Sequence, residues 1–369
     1  MIMNTKPTLL LDEQKCKINI ANMYARSQQH KVELRPHFKT HQSLEIGQWF
    51  KDIGVLKITV SSLEMAEYFA AEWNDITVAF PVNILEIDSI NKLASRIKLN
   101  VLIESRETTA FLVENLKAPI NFLIKINIGN NRTGLQSTNT EDIEAILNIS
   151  KKSNKLTFNG FLGHAGQTYK CKNKAEVLEV HKIAKKKLTT LKHQFIKQYP
   201  DIIASYGDTP SCSLADDFSG IDEIRPGNFV FYDVMQEQIG ACSSREIAVA
   251  MSCPIVAIHK KRNEIVIYGG GIHFSKDRIN HKEYGTIYGL IAKKDNNRWD
   301  EIIPKMFVKG LSQEHGIIHI PDSEINNYAI GDSIIVLPIH SCMSANLMKH
   351  YINIKGCKIR MMPLNNSSS

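Results

Sequence analysis

KLNVLIESRETTAFLVENLKAPINFLIKIN, residues 98–127, holds the repeat that decides the fold. Lys98 to Ile103 is a short β-branched run, Thr108 to Asn115 has helical spacing, and Ile120 to Asn127 is again strand-like. Short apolar runs alternating with helical stretches are the pattern of parallel strands joined by crossover helices. Outward from this stretch the alternation continues from residue 13 to about 235. The remaining strand candidates are Glu33 to Lys39, Val55 to Val60, Asp75 to Phe80, Phe158 to His164, Ile202 to Tyr206 and Ile221 to Arg225. Helical stretches between them include Leu63 to Trp73, Ile84 to Arg96, Thr140 to Ser150 and Ala175 to Tyr199. Eight such strands predict an α/β fold of the (β/α)8 TIM-barrel type, with a site at the carboxyl ends of the strands.

Beyond Tyr232 the character changes. Ile247 to Ile258, Glu264 to Tyr268, Ser333 to Leu337 and Tyr351 to Met361 read as strands with little helical period between them. The expected organisation is a barrel over residues 12–235 and a C-terminal β-rich domain over 236–361, to which residues 1–11, with the run Pro7 to Leu11, add a strand. The polar tail PLNNSSS reads as disordered.

A chain of 369 residues that is 43% hydrophobic can bury one large core and a smaller one. Its net charge of +7 is spread out, and the densest basic cluster, Lys182 to Lys192, carries apolar residues at helical spacing, as a solvated helix face does. No basic stripe with interleaved aromatics points to nucleic acid. Seven cysteines without a Cys-x-x-Cys pair argue against a disulfide framework and for a reducing, cytoplasmic setting. No apolar run is long enough for a membrane span, and the N-terminal one is too short for a signal peptide.

Unusual polar residues gather at the strand ends. The first strand closes in LRPHFKTHQ, whose period of two aligns Arg35, His37, Lys39 and His41. A surface basic strand is the bland reading. A lysine desolvated beside other cations, with an amine available for carbonyl condensation, is the chemical one. Strands five and six close in INIGNNRTGL, with Arg132, and GHAGQTY, with His164 and Tyr169. After strands seven and eight, Gly207, Thr209, Ser211, Gly227 and Asn228 let backbone N–H groups approach an anion, as phosphate sites there do. In the second domain His340 and Cys342 are two apart, an imidazole and thiol pair suited to zinc or to plain packing. Glu314 and His315 read equally as a turn or as catalytic groups.

Arg35-Pro36-His37-Phe38-Lys39-Thr40-His41 resembles the cofactor-lysine motif of the D-threonine aldolase and D-serine dehydratase family, alanine racemase-type (fold type III) pyridoxal-phosphate enzymes. The resemblance extends through NIGNNRTG, GHAGQTY, GDTPS, RPGNFVFYD, SKDR, GLSQEHG and PIHSC, nearly the whole chain. It implies pyridoxal 5'-phosphate bound as a Schiff base on Lys39, with His37, Arg132, His164 and Tyr169 about the ring and Gly207, Thr209, Ser211, Gly227 and Asn228 about the phosphate. It also implies a divalent metal on His340 and Cys342, where the thiolate favours zinc over manganese or magnesium. Departures stand at Gln313, where relatives carry an acid, and at Gly269-Gly270-Gly271.

The function so implied is a lyase on 3-hydroxy-D-amino acids. Retro-aldol cleavage, as in D-threonine aldolase, is the leading expectation, with D-serine or D-3-hydroxyaspartate dehydration as the alternative. A racemase would need no metal, and a non-catalytic cofactor carrier would need no second domain. The resemblance further implies a homodimer acting on a small D-amino acid.

Overall fold

The computed structural model describes residues 5–295 and 298–363. The chain divides into two compact units, Ala21–Gly227 and Met1–Ile20 with Asn228–Ser369. Leu364 onward, the part of the polar tail expected to be disordered, lies outside the described residues.

In the first unit the barrel strands are β1 (Glu33–Leu34), β2 (Lys57–Val60), β3 (Asp75–Pro81), β4 (Lys98–Ile103), β5 (Ile120–Asn127), β6 (Leu156–His164), β7 (Ile203–Gly207) and β8 (Glu223–Ile224). They pair in parallel in the order β2-β3-β4-β5-β6-β7-β8-β1, and the short strand Leu135–Gln136 adds to β5. The ring closes where the chain beyond β1 meets β2. There His37 bridges Thr59, the Phe38 N–H donates to the Thr59 carbonyl at 2.8 Å, and the Thr59 N–H to the Pro36 carbonyl at 2.9 Å.

The intervening helices start where the sequence supplies a side-chain cap. Ser43, Ser62, Ser105, Asn139 and Asn173 each accept the N–H three residues on, opening Leu44–Lys51, Leu63–Phe69, Arg106–Asn115, Thr140–Ser150 and Lys174–Phe195. Each such cap contributes about 1 kcal/mol.

Inside the barrel, alternate residues form layers. Leu102, Leu123 and Leu162 make a buried apolar cluster, with Ala79 and Ile203 against it. Two positions earlier on β4 and β5 stand Asn100 and Asn121, and this layer is polar. Arg35 pairs with Glu223 and, at 2.7 Å, with Asp75; Asn100 donates to Asp75 at 2.9 Å and Ser205 to Glu223. The charges compensate one another, Arg35 and Glu223 buried and Asp75 partly exposed beside Lys98.

The first strand is shorter than its sequence predicts. It ends at Leu34, and residues 38–41 turn, so the alignment of Arg35, His37, Lys39 and His41 breaks after His37. Phe38 explains the turn: its ring packs against Phe50, Phe69 and Trp73, with centroids 5.0–5.1 Å apart. That burial outweighs continuing the strand. His41 follows Phe38 into the same core, 4.3 Å from its ring, and burial lowers its pKa to about 3.

The second unit is built on antiparallel strands: β9 (Val249–His259), β10 (Glu264–Tyr268), β11 (Gly289–Asp295), β12 (Arg298–Leu311), β13 (His315–His319) and β14 (Ser333–Pro338). They pair in the order β10-β13-β12-β11-β14-β9, and β9 also pairs with β10, which closes a six-stranded barrel. From β9 the sheet runs on through Thr8–Leu11 to His350–Asn353 and Lys358–Arg360. The strand expected over Tyr351 to Met361 is thus a hairpin, turned at Gly356. The strands β11, β12 and β13 were not among those predicted. No helix of the described residues is long and apolar enough to cross a membrane.

Candidate active site

At the carboxyl ends of the first unit's strands, cations converge. Lys39 stands exposed in the turn after β1, and Arg132 is exposed after β5. Lys125, on β5, is buried. Burial, then Arg225 and Arg132, lowers its pKa to about 7, against a weaker opposing pull from Glu104. Arg225, just past β8, is also buried; it donates to the Ser205 hydroxyl and, at 2.7 Å, to the Gly163 carbonyl. Burial lowers its pKa to about 10 despite Glu223.

Two histidines share this charge and stay neutral. Burial, then Lys39 and Arg225, holds His37 well below its ordinary value; burial, then Lys125 and Lys39, does the same for His164. Their tautomers follow from their hydrogen bonds. His164 Nδ1 lies 2.7 Å from the Gly207 carbonyl, which can only accept, so Nδ1 carries the proton and Nε2 a lone pair. His37 Nδ1 accepts the Lys39 N–H at 3.3 Å, so its proton is on Nε2. One imidazole offers an acceptor and the other a donor.

The turns after β6, β7 and β8 are stitched together. The Thr209 N–H donates to the Tyr169 hydroxyl at 3.3 Å, and the Gly227 N–H to Thr209 Oγ1 at 3.3 Å. A Cβ on Gly227 would meet the His37 carbonyl oxygen at 2.9 Å, so only glycine lets these strand ends close together. Ser211 is fully buried, its N–H donating to Asp208 at 2.7 Å and its hydroxyl accepting from Tyr206 at 2.9 Å. Its polar groups therefore serve the turn itself. Asp208 caps the following helix, and burial raises its pKa to about 6. Sequence reasoning missed Lys125, Arg225 and Asp208. The one signal was a lysine inside the strand-like INFLIKIN.

Asn228 falls in the second unit, where its side chain joins another group. Its Nδ2 donates to Asp233 at 2.6 Å and Ser341 Oγ at 3.0 Å and lies 3.5 Å from Cys342 Sγ. His340 stands at the N-cap position of the helix Ser341–Met348 without a side-chain capping bond, its Nδ1 3.5 Å from Asp233 Oδ2. Burial opposes a charge on His340, but Cys342 and Asp233 outweigh it and hold its pKa well above the ordinary value. Among the described residues no three His, Cys, Asp or Glu side chains form a metal cluster.

Glu314 and His315 are exposed, and their loop has a structural task. The Glu314 carbonyl accepts the Gly269 N–H at 2.9 Å and the Gln313 carbonyl the Ile272 N–H at 3.2 Å. A Cβ on Gly270 would meet the Gln313 carbonyl oxygen at 2.4 Å, so the glycine run is what lets the two segments dock.

Residues 11–234 match the family model "Alanine racemase, N-terminal domain", and residues 248–354 match "Putative serine dehydratase domain". D-serine dehydratase of Dictyostelium discoideum is 30% identical over 380 residues, covering 95% of this chain and 93% of that protein. D-threo-3-hydroxyaspartate dehydratase of Delftia sp. (strain HT23) is 25% identical over 354 residues, covering 91% and 90%. A solved metal-free form of a cysteine-to-alanine mutant of a D-threo-3-hydroxyaspartate dehydratase has a TM-score of 0.90 at 23% identity over 97% of each chain. D-threonine aldolase from Filomicrobium marinum has a TM-score of 0.79 at 20% identity, covering 98% and 95%. The chain belongs to the alanine racemase-type, fold type III family of pyridoxal-phosphate enzymes that includes D-serine dehydratase.

Proposed function

We propose that this chain is a pyridoxal-phosphate lyase that dehydrates a 3-hydroxy-D-amino acid, D-serine or D-threo-3-hydroxyaspartate. The observation that carries this reading is full-length similarity, at 30% identity, to a D-serine dehydratase. The retro-aldol reading that led on sequence motifs becomes the second one, because D-threonine aldolase is the more distant likeness.

The residues present fit pyridoxal phosphate. Lys39, Lys125, Arg132 and Arg225 bring an excess of positive charge to one place, and His37 and His164 stay neutral under it. Such a site gains from a phosphate dianion and a substrate carboxylate, whose charge would offset the cations' mutual repulsion. When bound, the cofactor supplies an electron sink for the bond broken at Cα. Lys39 Nζ would hold the cofactor and, freed by exchange with the substrate amine, would take the proton from Cα. His37 Nε2–H and the His164 Nε2 lone pair orient polar atoms beside it. Gly207, Thr209 and Gly227 would hold the turns that receive the phosphate.

His340 and Cys342 fit a divalent cation by the chemistry of the donor set. Imidazole and thiolate are a donor pair that suits zinc. Such an ion would supply Lewis acidity to a departing hydroxyl. The resemblance also carries the expectation of a homodimer, which sedimentation velocity tests.

The deciding experiment incubates the protein with D-serine, D-threo-3-hydroxyaspartate and D-threonine and assays keto acid, ammonia, glycine and acetaldehyde. Keto acid with ammonia in equal amounts supports dehydration. Glycine and acetaldehyde from D-threonine, with no keto acid from either other substrate, would replace it with the aldolase reading.

A further inference from the structure

We infer that Asp233 positions His340 for metal binding, an inference that rests on the cation site proposed above. Asp233 is fully buried at the cap of the helix Val234–Ile239, where its Oδ1 accepts the Gln236 N–H at 3.0 Å. Its Oδ2 accepts Asn228 Nδ2 at 2.6 Å, the Ser341 N–H at 2.9 Å and Ser341 Oγ at 3.3 Å. None of these donors carries a formal charge. Among the described residues, the ion-pair partner of this carboxylate is His340, its Nδ1 3.5 Å from Oδ2.

His340 Nδ1 is buried and makes no hydrogen bond. The separation from Asp233 slightly exceeds an ordinary N–H···O bond of about 3 Å, so a small rotation of the ring completes it. A proton on Nδ1 directed at the carboxylate leaves Nε2 as the lone pair for a metal and makes it a better donor. Four hydrogen bonds, two of them from backbone N–H groups, hold Asp233 as a fixed reference for the ring. Asn228 extends the same frame to the other donor, since its Nδ2 reaches both Asp233 and Cys342 Sγ. Asp233 is thus a positioning residue that acts through His340.

Zinc affinity, measured by competition with a chromophoric chelator, tests this on the wild type, His340→Ala and Asp233→Asn, each shown folded by circular dichroism. Asp233→Asn should weaken zinc binding roughly 10- to 100-fold. Unchanged affinity would overturn the role of Asp233 while leaving the cation site standing. A wild type that binds no zinc, or a His340→Ala variant that binds it equally well, would instead remove the cation site and this inference with it. Nitrogen-15 NMR of the zinc-loaded wild type decides the matter even where Asp233→Asn does not fold. A proton on Nδ1 and zinc on Nε2 are expected; the reverse arrangement overturns the proposal.

Discussion

A lysine buried on a barrel strand, as Lys125 is, pays for its charge in lost solvation, and its neighbours Arg225 and Arg132 add repulsion. Its folded pKa of about 7 lies below the ordinary 10.5, so the unfolded chain binds more protons between those values. Stability from this group is therefore full above 10.5, falls as pH drops, and is lost below about 7. Lys125→Met should raise the stability of cofactor-free protein at pH 7.5 by roughly 2–4 kcal/mol while weakening pyridoxal phosphate. Urea titration and cofactor titration check the two halves; a variant less stable and equally tight would contradict both. Lys39 differs: it is exposed, so Lys39→Ala should leave folding within about 0.5 kcal/mol and abolish turnover. Borohydride should then fix the cofactor to the wild type and not to the variant, with peptide mapping finding the label at residue 39. Lys39 was legible in the sequence because histidines flank it in a recognisable motif. Lys125 was not, because the direction of one lysine in an apolar run is settled only when the strand joins a ring.

Among elements, the short β1 depends on what lies beneath it. Its two residues pair with β8, and closure toward β2 needs the chain out to Phe38. Arg35 underlies this join, tying β1 to Glu223 of β8 and Asp75 of β3. Removing the guanidinium takes its ion-pair partner from the buried Glu223 and leaves the partly exposed Asp75 only Lys98, so Arg35→Met should cost roughly 3–5 kcal/mol in denaturant unfolding. A loss below about 1 kcal/mol would mean that the polar layer is better solvated than its burial implies. The barrel strands could be read in advance because parallel strands covered on both faces are continuous apolar runs. The strands β11 to β13 could not. β12 carries Asp300, Glu301, Lys305 and Lys309, with Pro304 and a left-handed Lys305 inside it, and its register shifts against both neighbours. Each irregularity resets the alternation on which a strand reading depends.

At the scale of the whole molecule, the groups proposed for cofactor and metal divide between the two units. Lys39, Lys125, Arg132 and Arg225 belong to Ala21–Gly227, whereas Asp233, His340 and Cys342 follow Asn228. In the second unit Asn228 and Asp233 both hydrogen-bond to Ser341. A ligand stabilises the unit that binds it: at 100 times its Kd the gain is about 2.7 kcal/mol. For a unit of this size that moves a melting transition by roughly 5–10 °C. Two units need not unfold as one, so calorimetry can resolve which transition each ligand moves. Removing pyridoxal phosphate should lower the transition of the barrel unit, and chelating zinc that of the β unit. Lys125→Met should diminish the first shift, and Cys342→Ala should abolish the second. If one transition carries both shifts in the wild type and in both variants, the units unfold as a single body, and each ligand stabilises the whole chain.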